Sequence, residues 1–230
     1  MPTVYCISGL GADHHIFDQL ELPGCRLVPV PWLMPEIEEP IGAYAERMRM
    51  SIGAGPAQIA DSRAGVGGER PILLGVSFGG MMAIEIAKFL PTATVIIVSS
   101  IRDHHQLPLS IRMSGRLVNK RWTPPANLPW LAPVQDYFLG VENEADARMA
   151  REYRGNVDPH YLQWAIRQIA FWKNEWRPDT FFHLHGTRDR TFPIHRVQPT
   201  HIVEGGGHLM IHNRATAISK ILAGLMGEQS

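Results

Sequence analysis

The chain has 230 residues, 45% of them apolar, and its 22 basic residues balance its 22 acidic residues. A neutral chain has no overall field to attract nucleic acid or an anionic membrane surface, and no apolar run reaches the length of a membrane span. The N-terminus lacks the basic and apolar regions of a secretory signal. We therefore expect a cytoplasmic protein without a nucleic-acid partner or a membrane span, and the sequence leaves its oligomeric state open.

Six short apolar runs rich in β-branched residues predict buried strands. They cover residues 4–7, 27–30, 72–74, 94–98, 181–184 and 200–203. Helical spacing of apolar residues is found at 41–52, 80–90 and 213–225. Because strands that alternate with helices form parallel sheets, this order predicts an α/β fold whose mostly parallel sheet is covered by helices on both faces.

Two segments interrupt the alternation. Residues 53–68 are rich in Gly, Ala and Ser, which predicts a mobile surface loop or a ragged helix end. Residues 101–176 are long, polar and aromatic, and their later part predicts a helix with Asp158 as its N-cap. We interpret 101–176 as a small helical cap, inserted after the fourth predicted strand into a core domain of residues 1–100 and 177–230.

The residues Gly75-Val76-Ser77-Phe78-Gly79 lie between a predicted strand and a predicted helix. Such a turn has to be very tight, and glycines avoid the crowding that side chains would cause there. The turn would expose the Ser77 hydroxyl as a covalent nucleophile, and the alternative is a glycine-rich loop with a capping serine. A serine nucleophile needs a base to take its proton and a third group to orient that base.

Two later loops supply candidates for these roles. Asp189 follows the predicted strand 181–184, and His208 follows the last predicted strand behind three glycines that let the chain bend. Loops that follow parallel strands start at one edge of the sheet, so both side chains are expected near Ser77. The chain order Ser, Asp, His is that of the nucleophile-elbow enzymes.

With these loops the sequence resembles the α/β-hydrolase superfamily, in particular its small intracellular serine esterase-like members. The resemblance also rests on Ser8-Gly9-Leu10-Gly11 after the first predicted strand. It implies a sheet without the family's first hairpin, a Ser-Asp-His catalytic triad, and an oxyanion hole formed by the backbone N–H groups of Leu10 and Phe78. Because Ser8 stands where the family usually has His, the support of this loop is expected to differ.

Two alternatives concern the acid and a metal. Asp103 is an alternative acid, because some relatives of this fold place the acid after the corresponding strand. His183 and His185, or His208 and His212, have spacings that suit a metal site. No third ligand stands near either pair in the sequence, so we expect neither a metal nor a cofactor.

Several other residues have two interpretations each. A basic set either binds an acidic substrate tail or faces solvent: Arg112, Arg116, Lys120 and Arg121. An aromatic set either lines an apolar acyl pocket or forms the core of the cap: Trp122, Trp130, Trp164, Phe171 and Trp172. Two histidine pairs either contact substrate or face water: His14-His15 and His104-His105.

The sequence thus predicts a serine hydrolase, specifically a carboxylic ester hydrolase, that cleaves a small-molecule ester through an acyl-enzyme on Ser77. The same triad would also serve a thioesterase or a cofactor-free lyase. A non-catalytic ligand receptor on the same fold is the alternative of a different class. Because the nucleophile is a serine, the aspartate-based dehalogenases and epoxide hydrolases are disfavoured.

Overall fold

A computed structural model describes residues 1–52, 70–117 and 130–227. Its strands are β1 (Thr3–Ile7), β2 (Arg26–Pro29), β3 (Ile72–Val76), β4 (Thr94–Val98), β5 (Thr180–Gly186) and β6 (His201–Val203). They form one sheet in the order β2-β1-β3-β4-β5-β6, in which every neighbouring pair is parallel. The predicted parallel sheet is confirmed, and the predicted loop 53–68 lies outside the described residues.

The described α-helices follow or connect these strands. They are α1 (Ile41–Arg49), α2 (Phe78–Ala87), α3 (Leu109–Leu117), α4 (Ala132–Leu139), α5 (Glu144–Asn156), α6 (Pro159–Phe171), α7 (Met210–Asn213) and α8 (Ala215–Gly227). Helices α3 to α6 lie between β4 and β5, where the insertion was expected, while the division into core and cap domains stays a prediction. Across the described ranges, no helix is both long and apolar enough to cross a bilayer.

Several element boundaries differ from the predictions by a few residues, and two of these differences have a clear structural cause. The strand predicted at 181–184 extends to Gly186, because Gly186 still pairs with Val203 of β6. The helix predicted at 213–225 corresponds to α8, which begins only at Ala215, because the backbone leaves the helical region at Arg214, with φ −127° and ψ 26°. Both differences depend on tertiary pairing or on local backbone angles that apolar periodicity does not report.

The side chains of β3 alternate between two apolar clusters, one on each face of the sheet. Leu73 belongs to the cluster formed with α1 and α2, which includes Tyr44 and Met82. Leu74 belongs to the cluster formed with α8, which includes Leu222. All five residues of β3 are buried, as expected for a parallel strand that helices cover on both faces. The strand that leads to Ser77 is therefore a rigid, central element.

Helix α6 is bound to the rest of the fold through tryptophans. The Trp164 indole N–H donates to the Glu39 carbonyl oxygen at 2.7 Å, and the Trp172 indole N–H donates to the Glu85 carboxylate at 2.8 Å. Both tryptophans are buried, which favours the core interpretation of these two aromatic residues. Asp158 caps α6 through its carboxylate, as predicted.

Two buried tyrosines, Tyr44 in α1 and Tyr161 in α6, differ in the hydrogen bonding of their hydroxyl groups. The Tyr44 hydroxyl donates to the Leu33 carbonyl oxygen at 2.7 Å and accepts from the Leu33 N–H at 2.8 Å. The Tyr161 hydroxyl is buried and has no hydrogen-bond partner within the described part of the chain. Burial raises the pKa of both phenols, so both hydroxyls keep their protons at neutral pH.

We expect Tyr44→Phe to lower the free energy of unfolding by about 1–3 kcal/mol, because it leaves the partly buried N–H and carbonyl oxygen of Leu33 without this partner. Tyr161→Phe removes a hydroxyl that has no partner, so the free energy of unfolding should stay unchanged or rise. Urea denaturation followed by tryptophan fluorescence measures both changes. Equal losses in the two variants would contradict the hydrogen bonding described above.

Candidate active site

The turn from β3 into α2 holds Ser77 in a backbone conformation that side chains disfavour. Its φ is 54° and its ψ is −119°, a combination that is strained for a residue other than glycine. The Ser77 N–H donates to the Val98 carbonyl oxygen at 3.0 Å, and the Ser100 hydroxyl donates to the Ser77 carbonyl oxygen at 2.6 Å. These two bonds hold the Ser77 backbone against the segment that ends β4.

Close backbone contacts explain the glycines on either side of Ser77. A Cβ atom on Gly79 would overlap the carbonyl oxygens of Ile7 and Ser8 at the end of β1, and one on Gly75 would overlap the backbone of Gly79. Any side chain at these positions would push α2 away from the sheet. The structure therefore has the tight strand-to-helix turn that the glycines predict.

His208 lies between Ser77 and Asp189. Asp189 belongs to the acid loop, residues 187–193 after β5, and His208 to the base loop, residues 204–209 after β6. The His208 Nε2 atom is 2.9 Å from Ser77 Oγ, and its Nδ1 atom is 2.9 Å from Asp189 Oδ2. An ionised carboxylate only accepts hydrogen bonds, so Nδ1 carries the proton and Nε2 accepts from the serine hydroxyl. The structure thus brings together the three side chains that the sequence singles out.

The Asp189 carboxylate is almost completely buried, at 4% exposure. Its Oδ1 atom accepts the N–H groups of Thr191 and Phe192, each at 2.9 Å. Burial disfavours its charge, but interactions with His208, with His185 and with the Phe192 N–H outweigh burial and hold the pKa of Asp189 below its usual value. Asp189 is therefore ionised at neutral pH, where its negative charge can stabilise a positive charge on His208.

Two more histidines, His183 and His185, lie behind Asp189 and are fully buried. The His185 Nε2–H donates to the Phe192 carbonyl oxygen at 2.7 Å and lies 3.6 Å from Asp189 Oδ2. The other nitrogen of His185 accepts from His183 Nε2 at 3.1 Å. Burial lowers the pKa of both imidazoles, that of His183 to about 3. Both nitrogens of His185 are thus in hydrogen bonds within the protein, and His185 supports the acid loop.

The loop after β1 passes close to the candidate nucleophile. A Cβ atom on Gly9 would lie 3.3 Å from the Ser77 Cβ atom, so Leu10 directly follows the point of closest approach. Phe78 is the first residue of α2, and the N–H of a first helical residue has no carbonyl partner within its helix. Both N–H groups expected in an oxyanion hole therefore belong to backbone that borders Ser77.

The end of α4 contacts both the acid loop and the base loop. The Thr191 hydroxyl of the acid loop donates to the Phe138 carbonyl oxygen at 3.0 Å. The Leu209 N–H of the base loop donates to the Leu139 carbonyl oxygen at 3.0 Å. The inserted helices therefore border the candidate site and stabilise the loops that carry Asp189 and His208.

Asp103, the alternative acid, is bonded elsewhere. Its carboxylate accepts the His105 N–H at 3.0 Å and caps the 3-10 helix His104–Gln106. It also lies 3.5 Å from the Arg102 guanidinium. Since the Nδ1 atom of His208 bonds to Asp189, the geometry favours Asp189 as the group that orients the imidazole.

The members of the basic set and of the aromatic set, which each had two interpretations, differ in their contacts and exposure. Arg112 donates to the His104 carbonyl oxygen, and Trp130 and Phe171 are 75% and 49% exposed. Trp130 and Phe171 thus differ from Trp164 and Trp172, the buried tryptophans of the aromatic set. Outside the described residues or side chains lie Arg116, Lys120, Arg121 and Trp122.

Both histidine pairs stand beside a carboxylate. Within the described ranges, two groups have possible ligand atoms within 4.8 Å of one another: Asp13, His14 and His15, and His104, His105 and Glu175. The first group is exposed and the second largely so, and His15 already pairs with Asp18 at 2.8 Å. Neither group was predicted as a ligand set: Asp13 directly precedes His14 and was an available signal, whereas Glu175 joins His104 and His105 only through folding.

Two residues that contact the site, Ser100 and Trp32, are not among the candidates predicted from the sequence. Ser100 bonds to the Ser77 carbonyl oxygen, and two serines directly after the buried strand β4 are a signal that could have indicated it. Trp32 stacks on Phe78. Its position shortly after β2, at the same edge of the sheet, was the available signal.

A serine on a strand-to-helix elbow, with an acid and a base in later loops of a parallel sheet, is the arrangement of the nucleophile-elbow hydrolases. The sequence matches the alpha/beta hydrolase family over residues 4–220, and the chain belongs to this family. A search of curated proteins found no match.

Solved structures of low sequence identity share the fold. A thermophilic esterase from Thermogutta terrifontis has a TM-score of 0.66 and 14% identity, covering 99% of this chain and 90% of that one. A bromoperoxidase from Bacillus anthracis has a TM-score of 0.67 and 15% identity, covering 98% and 92%. An epoxide hydrolase from Bacillus megaterium has a TM-score of 0.67 and 11% identity, covering 99% and 94%. The different names show that this fold does not define the substrate.

The buried histidines predict an acid-sensitive fold. Folding lowers the pKa of His183 from 6.5 to about 3. As the pH falls, His183 is therefore protonated at a higher pH in the unfolded chain than in the folded protein. The corresponding stability is complete above about pH 6.5 and is lost progressively towards about pH 3. His183→Leu should therefore flatten the pH dependence of the free energy of unfolding in this window, as measured by urea denaturation. His195→Gln, at an exposed position, is the control, and an unchanged slope in His183→Leu would refute the prediction.

Proposed function

We propose that the protein is a serine hydrolase that cleaves a small carboxylic ester through an acyl-enzyme on Ser77. One observation carries the proposal: the His208 imidazole is 2.9 Å from Ser77 Oγ on one side and 2.9 Å from the Asp189 carboxylate on the other. A base that is itself oriented by a carboxylate makes a serine hydroxyl nucleophilic. Family membership agrees with hydrolysis and leaves the substrate undefined.

In the first step Ser77 Oγ attacks the carbonyl carbon while His208 Nε2 takes the hydroxyl proton. Asp189 stays ionised and stabilises the imidazolium that forms. The N–H groups of Leu10 and Phe78 donate to the developing oxyanion, and each such donor lowers the barrier by about 3 kcal/mol. His208 then gives its proton to the alcohol oxygen, the ester bond breaks, and the acyl group remains on Ser77.

In the second step water takes the place of the alcohol. His208 removes a proton from the water molecule, whose oxygen attacks the acyl carbon and forms a second oxyanion at the same donors. The bond to Ser77 Oγ then breaks, His208 returns the proton to that oxygen, and the carboxylic acid leaves. These steps require no cofactor.

We further propose that residues 101–176 are a cap that selects the substrate. The contacts of α4 with the acid loop and the base loop support this, because α4 lies next to the loops that carry Asp189 and His208. A thioesterase would use the same residues, since only the leaving atom differs. A panel of esters and thioesters of graded acyl size distinguishes these substrates, and tight binding without turnover would indicate a receptor.

Ser77→Ala should lower the rate of p-nitrophenyl acetate hydrolysis by roughly 10⁴-fold or more, because it removes the oxygen that carries the acyl group in the proposed mechanism. The fold should be retained, which circular dichroism checks. Ser110→Ala, at an exposed position on α3, is the matched control and should keep the wild-type rate. Unchanged hydrolysis in Ser77→Ala would refute the proposed nucleophile.

Asp189→Asn and Asp103→Asn test which acid orients His208. Asp189→Asn should lower kcat by about 10⁴-fold, because an amide cannot stabilise the imidazolium and favours the wrong tautomer. Asp103→Asn should retain a kcat close to that of the wild type, since Asp103 bonds to its own short helix. A large loss in Asp103→Asn together with an active Asp189→Asn would assign the role to Asp103.

A further inference from the structure

Trp32, in the loop after β2, supports the loop that carries Leu10. Its indole N–H donates to the Ser8 hydroxyl oxygen at 2.9 Å. The Ser8 hydroxyl in turn donates to the Ala12 carbonyl oxygen at 2.7 Å, and the Ala12 N–H donates to the Gly9 carbonyl oxygen at 3.1 Å. The Ser8 hydroxyl thus joins both ends of the segment 8–12, and the indole holds that hydroxyl in place.

The ring of Trp32 also packs on Phe78, the residue after the candidate nucleophile. The two ring planes are within 3° of parallel and their centroids are 5.2 Å apart, which is an offset stack. Phe78 is fully buried, so its ring has no room to turn away from the indole. One side chain therefore contacts a side chain in each of the two segments that carry the proposed oxyanion donors, Ser8 in one and Phe78 in the other.

Trp32 is itself held by two helices. Its ring centroid is 5.5 Å from that of Tyr161 in α6 and 6.2 Å from that of Tyr44 in α1. The Tyr44 hydroxyl also bonds to both backbone groups of Leu33, the residue after Trp32. These contacts fix the indole from several elements, as a side chain that positions other groups requires.

We propose that Trp32 is a positioning residue for the oxyanion hole. It acts through the Trp32 bridge, which consists of its hydrogen bond to Ser8 and its stack on Phe78. The bridge fixes the distance between the N–H groups of Leu10 and Phe78, and it supports the Leu10 loop through the Ser8 hydroxyl. This inference rests on the proposed function.

Misplacement of an oxyanion donor weakens binding of the transition state more than binding of the substrate. Trp32→Phe keeps a ring beside Phe78 but removes the donor to Ser8, and Ser8→Ala removes its acceptor. Each variant should lower kcat by roughly 10-fold to 100-fold with little change in KM. Affinity for a trifluoromethyl ketone analogue, which forms a tetrahedral oxyanion on Ser77, should fall by the same factor. The double variant should lose little more than Ser8→Ala alone, because both variants remove the bond from Trp32 to Ser8 and Ser8→Ala also removes the bond from Ser8 to Ala12.

Trp164→Phe is the matched control. Trp164 belongs to the same aromatic cluster, with its ring 6.0 Å from that of Phe78, but its N–H donates to Glu39. This variant should lose stability while it keeps kcat and analogue affinity. Wild-type kcat and analogue affinity in Trp32→Phe would overturn the proposal, as would a loss in the double variant equal to the product of the single losses.

Amide hydrogen exchange of residues 8–12 tests the Trp32 bridge without any substrate. Exchange should be faster in Trp32→Phe and Ser8→Ala than in the wild type and in Trp164→Phe. If exchange in Trp32→Phe and Ser8→Ala equals that in the wild type, the Trp32 bridge is refuted, whatever the turnover rates of these variants. Faster exchange in a protein whose wild type hydrolyses neither esters nor thioesters would refute the proposed function, and with it the oxyanion role of Trp32, while the bridge itself would stand.

Discussion

The candidate site depends on one constraint, the close contact of α2 with the ends of β1 and β3. This contact leaves no room for a side chain at Gly75 or Gly79. Gly79 lies against the carbonyl oxygens of Ile7 and Ser8, and Gly75 lies against Gly79. Helix α2 therefore starts directly at the edge of the sheet, and Ser77 takes a positive φ at a cost of about 1–3 kcal/mol. Burial of all ten residues of α2 offsets this cost. The result is a serine hydroxyl at the edge where the other loops begin.

The parallel sheet explains why residues far apart in sequence meet at that edge. Each loop that follows a strand starts there, so Leu10 after β1, Ser77 after β3, Asp189 after β5 and His208 after β6 become neighbours. Ser77 and His208 are 131 positions apart, yet their side chains lie 2.9 Å from each other. Hydrogen bonds from α4 and from the buried His185 then restrict the acid and base loops, which keeps the base oriented before any substrate binds.

Local signals made much of this arrangement predictable. The strand and helix periods indicated the parallel sheet, and glycines on both sides of Ser77 indicated the tight turn. Asp189 and His208 were identified by their positions after predicted strands and by chain order. The position of Trp32 after β2 placed it at the same edge, but the role proposed for it was not predictable, because its bond to Ser8 spans 24 positions and its stack on Phe78 exists only in the folded chain. The end of β5 at Gly186 likewise depends on pairing with β6.

The central claim is that His208 makes Ser77 nucleophilic. Fluorophosphonate labelling followed by mass spectrometry and peptide mapping tests it most directly, because the probe reacts with activated serines and needs no knowledge of the substrate. We expect one phosphonyl group, on Ser77, in the wild type, and none in His208→Ala under the same conditions. Labelling at another residue, or equal labelling of Ser77 in His208→Ala, would contradict the claim.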